Sequence, residues 1–101
     1  MELSLLQMWL RDMRSKVIQQ VPPIVCESGL EMSVQASKYH YCTPRDNTGP
    51  WTHVEIGYPT MVVPEFEPYG FEDGTVFEWV PIEIVERVIE KNGGFSGKVD
   101  K

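Results

Sequence analysis

The chain has 101 residues, 42% of them hydrophobic and 24% charged, and 9 Lys+Arg against 15 Asp+Glu give a formal net charge of −6. That length holds a single domain, and a composition this apolar excludes disorder along the whole chain. The acid excess argues against direct binding to a nucleic-acid backbone or to an anionic lipid surface, since both require clustered Lys and Arg.

No secretory signal is read at the start, because Glu2 and a short apolar run give way at once to Arg11, Asp12, Arg14 and Lys16. Nothing approaches the roughly 18 consecutive apolar residues of a membrane span. A cytoplasmic location is therefore expected. In a reducing compartment Cys26 and Cys42 are expected to be free thiols.

Residues 3–20 predict a helix, with Leu6, Leu10, Met13 and Val17 at three- to four-residue spacing and Leu5, Met8 and Trp9 widening the stripe. Gln7, Arg11 and Arg14 fall on the opposite, polar side. Ser4 is placed as the N-cap, and Pro22 and Pro23 stop the helix. Residues 31–41 predict a strand, because Met32, Val34 and Ala36 alternate with Ser33, Gln35 and Ser37, and Tyr39 and Tyr41 extend the second set. A turn-rich loop follows over 43–50. Residues 51–58 predict the returning strand of a long-tipped hairpin, with Val54 and Ile56 on one face and Trp51, His53 and Glu55 on the other.

Residues 59–74 read as irregular, with 61–63 as a short edge strand. Residues 75–80 predict a further strand, Phe77 and Trp79 facing one way and Val76 and Val80 the other. Pro81 opens a second helix, Glu83 favours its dipole, and Ile82, Val85, Val88 and Ile89 form its apolar face. Asn92, Gly93 and Gly94 end it. The fold class is α+β: an N-terminal helix, an antiparallel sheet of three to four strands and a short C-terminal helix, in one domain over 1–94 with a loose tail at 95–101. Both helices on one sheet face would close a single core. The alternative is that the first helix leaves the sheet and pairs through Trp9 and Met13 with a partner or with a second copy, the latter giving a homodimer.

Three constellations could carry chemistry. His40, Cys42 and His53 lie near one hairpin tip. As metal ligands they lack a fourth group, and as a Cys–His pair they lack an activating helix terminus, so neither a metal nor a cofactor is expected. Tyr39, Tyr41, Arg45 and Trp51 combine aromatics with a guanidinium. Such a set can stack on a nucleotide base and hold its phosphate, or serve as a protein-binding hot spot. The third is charge. Residues 50–90 hold nine acids and one base, whereas residues 1–49 are neutral. Within that stretch Glu65, Phe66, Glu67, Tyr69, Glu72 and Asp73 mix acids with aromatics, a composition suited to a basic groove on a partner. No phosphate-binding loop, nucleophile elbow or metalloprotease motif occurs, so an enzyme is not expected.

The run from Met32 to Arg45, the run from Gly49 to Pro59, and Trp79-Val80-Pro81-Ile82-Glu83-Ile84-Val85 with Gly93-Gly94 resemble a group of small phage and prophage proteins of unassigned function. The resemblance covers residues 32–94 and implies a genetic setting rather than an activity. It points to a small binding protein that inhibits or modulates a host protein, as a counter-defence inhibitor would. If that host protein binds nucleic acid, the acidic surface would compete for its site. The alternatives are a protein that sequesters a nucleotide signal and a small Cys/His enzyme or metal-binding protein.

Overall fold

The computed structural model describes residues 4–14, 20–70 and 74–96. Helix α1 spans Leu5–Asp12, and strands β1 (Ile24–Val25), β2 (Glu31–Gln35) and β3 (His53–Gly57) follow. A 3₁₀ helix at Pro64–Tyr69, strand β4 (Val76–Pro81) and helix α2 (Ile82–Lys91) complete the chain. The four strands form one antiparallel sheet in the order β1-β2-β3-β4. The α+β class is thus as the sequence predicts. The fourth strand, however, is β1, whose two residues are too short to show a period, and residues 61–63 are not in the sheet.

Ser4 caps α1 as its position suggests, its Oγ accepting the Gln7 N–H at 3.1 Å. Leu6 and Leu10 enter the core together with Val85, Val88 and Ile89 of α2, so both helices close on one hydrophobic core with Met32, Val34, Val54 and Ile56 of the sheet. The helix from residue 3 to 20 is shorter than expected at its described end, Asp12; residues 15–19 lie outside the described residues.

Gln7 departs from its polar assignment. It is buried, its Nε2 donates to the Trp51 carbonyl at 2.7 Å, and its Oε1 accepts the Trp51 N–H at 3.0 Å. Gln35 does the same for Val21, accepting its N–H at 3.0 Å and donating to its carbonyl at 2.9 Å. In both places a glutamine amide substitutes for the peptide group of a neighbouring strand, which satisfies buried backbone that no ladder reaches.

The predicted alternation fails in three places, each for a local reason. Strand β2 stops at Gln35 and does not reach Tyr41. Ser37 captures the chain instead, its Oγ accepting the Tyr39 N–H at 3.0 Å and its carbonyl the His40 N–H at 3.2 Å. Trp51 precedes β3 and turns inward, where it is 2% exposed. In β4 the register with β3 runs Val54↔Val80 and Ile56↔Phe77, so two residues, Glu78 and Trp79, oppose the single Glu55. This bulge leaves both Phe77 and Val80 buried and turns Trp79 outward, with its backbone at φ 50°.

The loop over Trp51 depends on Gly49. Its φ is 64°, and a Cβ there would lie 2.6 Å from the indole Cε3. Gly49→Ala is expected to cost about 2–4 kcal/mol, the sum of a left-handed alanine and a core overlap, as read from the urea midpoint; an unchanged midpoint would contradict this packing. At the other end Gly93 and Gly94 (φ 90° and 84°) stop α2 as predicted. The start of the expected loose tail is pinned: Phe95 bridges Cys26, and the Ser96 N–H donates to the Val25 carbonyl at 2.7 Å. Residues 97–101 lie outside the described residues.

Candidate functional site

The segment from Ser37 to Cys42 crosses the outer face of the sheet, the face turned away from the helices. Three bonds fix it there. The Tyr41 N–H donates to Glu55 Oε1 of β3 at 3.1 Å, the Trp79 N–H donates to the Tyr41 carbonyl at 3.2 Å, and the Lys38 N–H donates to Asn47 Oδ1 at 3.1 Å. The bulge is what frees the Trp79 N–H from the β3 ladder to make the second of these.

A row of side chains results. The Trp79 and Tyr41 rings meet with centroids 5.1 Å apart at 50°, and the Arg45 guanidinium carbon lies 5.7 Å from the Tyr41 centroid. Lys38 stands over Tyr39 at 5.5 Å. Trp79 is 41% exposed, Tyr41 42% and Tyr39 65%. Burying such residues from water is favourable, and Trp, Tyr and Arg are the residue types that dominate protein-binding hot spots.

Of the four residues proposed around the hairpin tip, the structure places Tyr39, Tyr41 and Arg45 on this surface and Trp51 beneath it. The Trp51 indole N–H donates to the Asp46 carbonyl at 3.2 Å, and the Arg14 guanidinium covers its ring at 5.6 Å. Trp79 takes the outward place instead. Periodicity put it on the face of Phe77; the signal available was the spacing of Phe77 and Val80, two buried apolar residues three apart in a strand. Because Tyr41 and Trp79 lie directly against one another, no slot for a third ring opens between them.

The acidic aromatic segment is less open than its composition suggests. Phe66 is fully buried against Phe77, with ring centroids 5.7 Å apart. Glu65 is bound by Lys91 at 2.6 Å, which holds its carboxyl below the usual range. Glu67 is exposed and Tyr69 half-buried. Glu72 and Asp73 lie outside the described residues.

His40, Cys42 and His53 are each committed to neighbours. Cys42 is buried and its Sγ donates to the Ser37 and Pro44 carbonyls at 3.1 and 3.4 Å. Burial pushes both its thiol and that of Cys26 up, away from the thiolate. His40 Nδ1 bonds Ser37 Oγ at 2.7 Å, and His53 Nδ1 bonds Thr52 Oγ1 at 2.8 Å. Among the described residues no three His, Cys, Asp or Glu are grouped to hold a metal.

His40 gives the loop a pH dependence. Burial lowers its pKa, Arg14 and Arg45 add to this, and Glu55 opposes them. The folded state therefore binds a proton less readily than the unfolded chain. Above the unfolded value of about 6.5 both forms are neutral and nothing is lost; below it the unfolded chain gains protons first and stability falls. Protonated His40 would donate to Ser37 Oγ, which already accepts the Tyr39 N–H, and the fully buried hydroxyl would lose its own acceptor. The wild-type urea midpoint is expected to fall between pH 7 and 5.5 by more than that of His40→Asn. Equal falls would remove His40 as the cause.

No helix among the described residues is long and apolar enough to cross a membrane. No protein-family model, curated protein or solved structure matches the chain.

Proposed function

We propose that this chain is a binding protein that modulates a partner protein, and that the contact is centred on Trp79, Tyr41 and Arg45. The observation that carries the reading is Trp79 itself. A tryptophan is held outward by a bulge at φ 50°, a backbone conformation that costs a non-glycine residue on the order of 1 kcal/mol or more. Its ring adds nothing to the core that Phe77 and Val80 already fill. An outlier kept at such a position favours a role outside the fold.

The resemblance of residues 32–94 to small phage and prophage proteins favours a host protein as the partner and inhibition as the effect. The net charge of −6 favours approach of a surface that is basic overall, as in a protein that handles nucleic acid, with an association rate that falls as salt rises. Affinity capture from host lysate, with wild type and Trp79→Ala side by side, tests the reading. A species retained by the wild type and lost by the folded variant is the expected result. The same species retained equally by both would sink it.

A further inference from the structure

We infer that Arg45 selects the partner by pairing with one of its carboxylates, seated beside an apolar side chain that packs on Trp79. The inference rests on the binding surface proposed above and names the group that the surface recognises.

Arg45 is exposed and makes no ion pair among the described residues. Two acids of the surrounding segments, Asp46 and Glu55, already hold backbone N–H groups. Asp46 Oδ1 accepts the N–H groups of Gly49 and Thr48 at 2.9 and 3.1 Å, and these bonds hold its carboxyl below the usual range. Glu55 Oε1 accepts the Tyr41 N–H. Arg45 lies instead on the face of Tyr41, at 5.7 Å. A guanidinium laid on a ring keeps its N–H donors at the rim, where they match the two oxygens of a carboxylate. The platform is preorganised, because Tyr41 is fixed through both its N–H and its carbonyl. Little ordering is then left to be done on binding.

The overall acidity of the chain repels an acidic protein at long range. The carboxylate is therefore expected within a partner surface that is otherwise neutral or basic. Arg45 then prolongs the complex rather than speeding its formation, as close charge pairs do.

Selection of short random displayed peptides on the full chain tests this without knowledge of the partner. Selection on the wild type is expected to enrich Asp or Glu at a fixed spacing from a bulky apolar residue. Selection on Arg45→Ala is expected to lose the acid and keep the apolar residue, and on Arg45→Glu to replace the acid by Lys or Arg. A selected acidic peptide should bind Arg45→Ala roughly 10- to 100-fold more weakly, the range for a hydrogen bond to a charged group.

Peptides that need Trp79 but carry no acid would overturn the carboxylate inference and leave the binding surface standing. So would displacement of the selected peptides by a nucleoside monophosphate through Arg45, since the anion recognised would then be phosphate. Peptides indifferent to Trp79→Ala, or no enrichment at all, would overturn both.

Discussion

Trp51→Ala is expected to cost about 3–5 kcal/mol of folding stability, the range for removing a fully buried tryptophan. Trp51 is 2% exposed and is among the largest fully buried side chains. It joins three parts of the fold. Gln7 of α1 brackets its peptide groups, the loop at Asp46 accepts its indole N–H, and Gly49 lies against its ring. Alanine would leave a cavity that these parts cannot fill without giving up those bonds. For a domain of about this length each kcal/mol lowers Tm by roughly 4 °C or more, so a fall of at least about 12 °C is expected. Trp51→Phe keeps most of the volume but orphans the Asp46 carbonyl, and should cost about 1–3 kcal/mol. If alanine cost less than about 1 kcal/mol, the indole would not be the joint between α1 and the hairpin.

How much of this was legible in the sequence differs from element to element, and the differences have causes. Helix α2 is readable because Ile82, Val85, Val88 and Ile89 repeat over about two turns and all four are buried, with glycines marking the end. Met32 and Val34 of β2 were readable because that strand has one buried and one less buried face. Periodicity speaks only while the ladder continues, however. The β3 ladder begins only at His53, two residues after Trp51, so alternation wrongly puts Trp51 on the face of His53 and Glu55; it slips at Glu78 and Trp79, so alternation wrongly puts Trp79 on the face of Phe77. No glycine or asparagine marks the slip, because the residue at positive φ is the tryptophan itself. Gln7 and Gln35 were unreadable for a different reason. A glutamine on a polar face and one that bonds to buried backbone look alike until the partner strand is placed. Of the candidate surface, Tyr39, Tyr41 and Arg45 are legible in the sequence, whereas Trp51 is buried and Trp79 stands outward beside them.

Trp79→Gly separates a binding role from a structural one more sharply than alanine does. Glycine relieves the strain at φ 50°, a gain of about 1 kcal/mol or more. Against this stand the extra freedom of the unfolded glycine, about 0.5–1 kcal/mol, and the lost contact with Tyr41, about 0.5–1.5 kcal/mol. These partly cancel, so folding stability is expected to change by no more than about 1.5 kcal/mol. Binding should behave otherwise. A tryptophan at the centre of an interface contributes about 2 kcal/mol or more on truncation, which is roughly a 30-fold loss of affinity for any partner or selected peptide that uses this face. Equilibrium unfolding and a titration followed by surface plasmon resonance, run on the same preparation, give both numbers. Stable protein with weakened binding is the expected pair. Weakened stability with unchanged binding would mean that the bulge serves the sheet, and that Trp79 is exposed only because the register puts it there.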